Sequence, residues 1–389
     1  MYYITVKQTP VVAQMTLEEL LFGDPKKVYR QRHTRSIAGT KTVCVREIPT
    51  HFREAASVYH LIETLNNFNE KYEHLHVEDM SKLYYTFHIP KRHGGLRRID
   101  APHDELMTAL RELKVIFEDE FGALYHTNAF AYIKKRSTID AVKRHQSNES
   151  KWFAKYDLSN FFGSTTIEFL MQQFSLIYPF CLVMKEEAGA RALRRAVELG
   201  FLNGGLPQGT PLSPTLTNIM MIPIDFWTTK KLRDVKNGDG QQEKFVYTRY
   251  ADDYIISSRY GFDHNKIEEV ICGVLDEFNA PFKINTSKTR YGNSNGRNWN
   301  LGVMLNKDNE ITVGYKNKMQ FKRMLSAYAF DKKHGTNWPL HDVQTLAGLR
   351  SYYRCVEKDS IDALVSHVDA KFGVNILEYI QSDLRSLTA

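Results

Sequence analysis

The stretch VYTRYADDYIISS, residues 246–258, decides the fold. Apolar, aromatic and β-branched residues flank Asp252-Asp253 on both sides, and the flanks read as two short strands joined at the carboxylates. A tight hairpin usually turns on Asn-Gly or Asp-Gly, whose backbones tolerate positive φ. Here an Ala-Asp-Asp tip sets two like charges side by side with no favourable turn residue. A local violation of this kind tends to mark a functional site. A hard divalent cation, which takes carboxylate and phosphate oxygens, would compensate it.

A third carboxylate stands upstream. KWFAKYDLSNFF, residues 151–162, reads as a short aromatic strand that stops at Asp157. Carboxylates converging from neighbouring strands can hold two ions about 3.5–4 Å apart, the arrangement that clamps both oxygens of an in-line phosphoryl displacement. Between these stretches lies LPQGTPLSP, residues 206–214, too rich in Pro and Gly for helix or interior strand. Its Ser213-Pro214 predicts a helix start with Ser213 as cap, and Pro223 predicts a kink in that helix.

The remainder gives the frame. Thr16 to Glu19 makes a capping pattern, and REAASVYHLIETLNNFNEKYEHL reads as helix, so residues 1–80 are expected to form a mainly helical extension. LYYTFHIPKRHGGLRRIDAP reads as a hairpin with a basic tip, and ELMTALRELKVIFEDEFGALY as an amphipathic helix. Ser137-x-x-Asp140 opens a further helix. Residues 165–202 read as helical, 263–279 as helix, WNLGVMLN and ITVGY as strands, and the tail from about 320 as helical with a basic start. Strands and helices mix without βαβ alternation, which predicts an α+β fold around an antiparallel sheet.

The 389 residues are enough for two or three packed units, and 42% hydrophobic with 25% charged residues fits a globular protein. The net charge of +7 suits a polyanionic partner. Four scattered cysteines, Cys44, Cys181, Cys272 and Cys355, form no C-x-x-C pair and fit a reducing compartment. The start shows no basic segment followed by an apolar core, and no stretch reaches the ~18 apolar residues of a membrane span. A cytoplasmic protein that does not engage membranes is expected.

Taken alone, Tyr-x-Asp-Asp is a weak signal; ordered context is what confirms a motif. The chain resembles the bacterial reverse transcriptases in six boxes over residues 81–320. IPKRHGGLRRI is similar to their fingertip hairpin, KYDLSNFF to the first carboxylate box and LPQGTPLSP to the box on the nascent base pair. YTRYADD resembles the metal-binding box, with YTR most similar to retron-type enzymes, and NTSKT and NLGVML resemble the lysine box and primer-grip strand. DAVKRH replaces the retron Asn-Ala-x-x-His, NLG stands where Val-Thr-Gly is usual, and Leu212 leans towards group II intron-related and defence-associated enzymes.

The resemblance implies a right-hand polymerase of fingers, palm and thumb, with an antiparallel palm sheet behind the helical extension. Fingers would span 81–155 and 170–206, palm 156–169 and 207–320, and a helical thumb 321–389, leaving no stretch after it for a nuclease domain. It implies RNA-directed addition of deoxynucleotides to a 3′-end, with a non-coding RNA as template, a DNA product and a role in antiphage defence. Retron synthesis of msDNA and loosely templated polymerisation are the alternatives, and a partner effector or self-association stays open. Asp157, Asp252 and Asp253, with the Leu158 carbonyl, would hold two Mg²⁺, for which Mn²⁺ could substitute. Lys91 and Arg97, or Arg98 in place of the latter, would grip the triphosphate. Phe162, rivalled in register by Phe161, would exclude a ribose 2′-hydroxyl. Gln208 and Gly209 would lie against the nascent pair, Lys288 would protonate pyrophosphate, and Leu301-Gly302 would hold the primer end.

Overall fold

The structure, a computed structural model, describes residues 35–37, 40–42, 58–90, 94–122, 124–236, 242–294 and 302–388. The Thr16–Glu19 pattern, Lys91 and Leu301 lie outside them. Ten strands are described: β1 Arg35–Ile37, β2 Thr40–Thr42, β3 Tyr84–Pro90, β4 Leu96–Pro102, β5 Trp152–Asp157, β6 Val246–Tyr250, β7 Asp253–Ser258, β8 Arg290–Asn293, β9 Met304–Leu305 and β10 Ile311–Thr312. The antiparallel pairs β1–β2, β3–β4 and β9–β10 and a sheet of order β6-β7-β5-β8 bear out the α+β expectation. Within residues 1–80, the described elements include the β1–β2 pair at 35–42, which the sequence reading did not foresee, helix Val58–Lys71 and the short helical turn Glu73–Leu75.

The chain divides into two compact units, 1–136 with 155–256 and 262–290, and 137–154 with 257–261 and 291–389. In the first, helix Asp104–Val115 follows β4 and buries Leu106, Leu110 and Leu113 on one face. It runs into a turn where Phe117 and Phe121 join Phe174 and Phe180 in an aromatic cluster with ring centroids 4.4–6.0 Å apart. The helical stretch expected over 165–202 splits into Ile167–Phe174, Phe180–Val183 and Glu187–Glu198, and Pro179, which has no N–H to continue a helix, accounts for the first of the two breaks. Helix Ser213–Met220 gives way to helix Ile222–Leu232 at Met221, just before Pro223, as the proline predicts.

One detail of that helix start differs. Leu212, not Ser213, holds the cap position, and the Ser213 hydroxyl instead donates to the Pro207 carbonyl at 2.9 Å and meets the Thr210 hydroxyl at 2.6 Å. The loop's own backbone outcompetes the helix for the serine, as short hydroxyl side chains allow.

In the second unit, helix Thr138–Ser147 opens on the predicted Ser137–Asp140 capping box, both reciprocal bonds present. Helices Tyr315–Lys333, Leu340–Val356, Lys358–Phe372 and Ile376–Thr388 enclose a separate core of Phe321, Leu325, Tyr328, Leu346, Ile361 and Val368.

Candidate active site

Asp157 is the last residue of β5, and the segment around Ile284 stitches it down. The Asn285 N–H donates to the Asp157 carbonyl at 2.7 Å, and the Ser159 N–H to the Lys283 carbonyl at 2.8 Å. From the other side, the Leu158 N–H donates to the Asp252 carbonyl at 3.0 Å. One residue beyond Asp157, the backbone therefore touches the tip of the β6–β7 hairpin. The backbone segments that carry the distant carboxylates thus meet.

The tip is a two-residue turn of Ala251 and Asp252, and Ala251 takes φ +55°. The left-handed region costs a residue with a Cβ roughly 1–2 kcal/mol. The chain thus makes the turn the hard way. It holds the turn through Arg249, whose guanidinium donates to the Ala251 carbonyl at 3.0 Å.

The carboxylates feel one another. Burial, with Asp253 and then Asp157 nearby, pushes the Asp252 carboxyl up to about 6. Burial also raises Asp253, opposed by Lys155, whose ammonium lies 2.7 Å from its carboxylate. Lys288 ends the short helical turn Thr286–Lys288 and places its ammonium 3.0 Å from each carboxylate oxygen of Asp157. Two lysines thus offset part of the charge of the three acids. Among the described residues no three His, Cys, Asp or Glu side chains form a ready-made metal cage. The donor set suits Mg²⁺, which usually binds through one or two carboxylates and completes its shell with water and substrate phosphates.

The neighbouring candidates at two positions differ in their surroundings. Phe161 is buried at 2% exposure and packs against Phe282 with centroids 5.0 Å apart, whereas Phe162 is only half-buried and meets the exposed Tyr132 edge-on at 6.5 Å. Arg98 pairs with Asp100 at 2.8 Å, while Arg97 lies on the opposite face of β4, which it shares with Ile99. Ile99 in turn abuts Gly209: a Cβ there would sit 2.8 Å from the Ile99 side chain and 2.9 Å from the Asp100 carbonyl oxygen. Gln208 anchors the same loop by accepting from the Asp100 N–H at 2.8 Å. Gly302, in the second unit, is exposed with φ +89°.

Residue-by-residue reading missed Lys155, Tyr132 and the partner of Arg249. Lys155 was findable, since on a strand it shares a face with Asp157 two residues on. Tyr132 carries φ +61° and meets Phe162 edge-on; no local pattern announces it.

Residues 89–312 match the family described as reverse transcriptase (RNA-dependent DNA polymerase), and the chain belongs to that family. Membership carries the right-hand polymerase fold that the motifs imply. Among curated relatives, the chain is 28% identical over 211 residues to the retron Ec73 reverse transcriptase of Escherichia coli, covering 54% of this chain and 64% of that one. It is 26% identical over 274 residues to the retron Mx162 reverse transcriptase of Myxococcus xanthus, covering 66% and 54%. The chain thus spans between about half and two thirds of the length of these relatives. Among solved structures, apo telomerase from Candida Tropicalis aligns at 12% identity and TM-score 0.44, over 85% of this chain and 64% of that one.

Proposed function

We propose that this protein is an RNA-directed DNA polymerase that adds deoxynucleotides to a 3′-end. The observation that carries the reading is the meeting of Asp157 with the Asp252-Asp253 tip, sealed by the Leu158 N–H on the Asp252 carbonyl, in a chain of the reverse transcriptase family. Asp157, Asp252 and Asp253, helped by the Leu158 carbonyl, would hold two Mg²⁺ or Mn²⁺ ions. A cation pair held there would supply charge stabilisation to the attacking 3′-oxygen and to the leaving oxygen.

The protein's own groups position the rest. Arg97, with Lys91, grips the triphosphate, its planar fork suited to bidentate phosphate contact. Phe162 presents a ring that collides with a 2′-hydroxyl. Gln208 and Gly209 pack against the nascent base pair, where the absence of a Cβ allows close approach. Lys288, once it leaves Asp157, offers a proton to pyrophosphate, and Leu301-Gly302 supports the primer end. Residues 81–155 and 170–206 serve as fingers, 156–169 and 207–320 as palm, and 321–389 as thumb.

The template is an RNA, for which a dedicated non-coding transcript is the preferred candidate, and the setting is bacterial antiphage defence in the cytoplasm. The names of the relatives favour a second reading, retron synthesis of msDNA. No helix among the described residues is long and apolar enough to cross a membrane.

The test supplies each deoxynucleotide separately on RNA templates of defined sequence. Incorporation that follows the template and falls by at least about 10³-fold in Asp252→Asn, with folding intact by circular dichroism, supports the reading. Incorporation indifferent to template overturns it in favour of a loosely templated polymerase. Sequencing the nucleic acid that copurifies with the protein separates msDNA from other products.

A further inference from the structure

Arg249 is wholly buried, as is its partner Asp225 on the helix Ile222–Leu232. Its Nε and one terminal nitrogen fork onto the two Asp225 oxygens at 2.8 Å each, and Asp225 also accepts from the Tyr247 hydroxyl at 2.6 Å. The second terminal nitrogen reaches the Ala251 carbonyl at 3.0 Å. The Arg249 backbone is pinned as well: its N–H donates to the Asn128 carbonyl at 2.7 Å and its carbonyl accepts from the Phe130 N–H at 2.9 Å.

A buried ion pair is a poor source of stability, because desolvation offsets most of the attraction. A residue that spends one arm of its fork on a strained carbonyl next to Asp252 has another use. We propose that the Arg249–Asp225 pair is a positioning device. It holds Ala251 in the left-handed conformation and thereby fixes where the Asp252 carboxylate points. The inference deepens the polymerase reading and rests on it for its consequence in catalysis, though not for its geometry.

Arg249→Lys keeps a cation opposite Asp225 but cannot serve both Asp225 and the Ala251 carbonyl, since an ammonium lacks the planar fork. Glycine visits the left-handed region without steric cost, so Ala251→Gly should relieve the need for the arm. Two readouts are followed: single-nucleotide turnover, and hydrogen exchange at the Leu158 amide, which donates to Asp252, measured without nucleotide or template. Arg249→Lys should lower kcat by about 10²-fold with little change in KM for deoxynucleotide, and should speed exchange at Leu158. Adding Ala251→Gly to that variant should restore about tenfold of the rate and slow the exchange again.

If Arg249→Lys fails to fold, Ala251→Val decides. With the buried pair intact, a β-branched residue that resists the left-handed region should reproduce both defects. Absence of rescue by glycine, or an Ala251→Val protein with normal turnover and exchange, overturns the proposal. Should exchange respond as stated while even the wild type adds no nucleotide, the positioning role stands and the polymerase reading fails.

Discussion

Asp252 carries the least comfortable charge in the site. Burial comes first among the causes and its two acidic neighbours add to it, so the folded protein holds the proton up to about pH 6. In the unfolded chain the proton leaves near the ordinary aspartate value of 3.8. The contribution of this group to stability is therefore fully present below that value and is lost as pH rises towards 6. It amounts to at most about 3 kcal/mol. Without divalent ions, urea unfolding of Asp252→Asn should show a smaller loss of stability between pH 4 and pH 7 than the wild type. An equal loss in both proteins would assign the pH dependence elsewhere. The carboxylates were legible because acids at an apolar hairpin tip break a local rule. The Arg249–Asp225 pair was not, because nothing in a basic residue on a strand tells whether it will be buried or which acid on a distant helix will meet it.

At the level of elements, patterning did most of the work where it was periodic. The β3–β4 hairpin, the break before Pro223 and the Ser137 box were all readable from alternation, proline and spacing. Ser213 was misread because a serine followed by proline looks like a cap, while the loop that recruits its hydroxyl is defined only by folding. The β1–β2 pair was missed for want of any strand pattern in residues 35–42. Gly209 gives this scale its prediction. Its φ is +124°, and a methyl group would press on the Asp100 carbonyl at 2.9 Å. Gly209→Ala should cost about 1–3 kcal/mol in thermal or urea unfolding. On the polymerase reading it should also raise KM for deoxynucleotide several-fold more than it lowers kcat. An unchanged midpoint with unchanged kinetics would remove the loop from the nucleotide pocket.

For the molecule as a whole, the excess of seven positive charges coexists with the three acids Asp157, Asp252 and Asp253 of the candidate site. If this excess serves RNA, affinity measured by fluorescence anisotropy should fall by about 10³-fold or more between roughly 50 and 200 mM salt, for about six phosphates contacted. A flat response would leave the charge as an ordinary solvated surface. The lysine on Asp157 has its own implication. On the polymerase reading, an exposed ammonium, 59% accessible, clasped to the Asp157 carboxylate would be an internal placeholder for a divalent ion. An arriving cation would then have to evict a tenant on a long, pliable stem, and metal and lysine would compete for that acid. If so, Lys288→Ala should take up Mn²⁺ more tightly in paramagnetic titrations while turning over more slowly, a vacancy gained at the expense of the proposed proton donor.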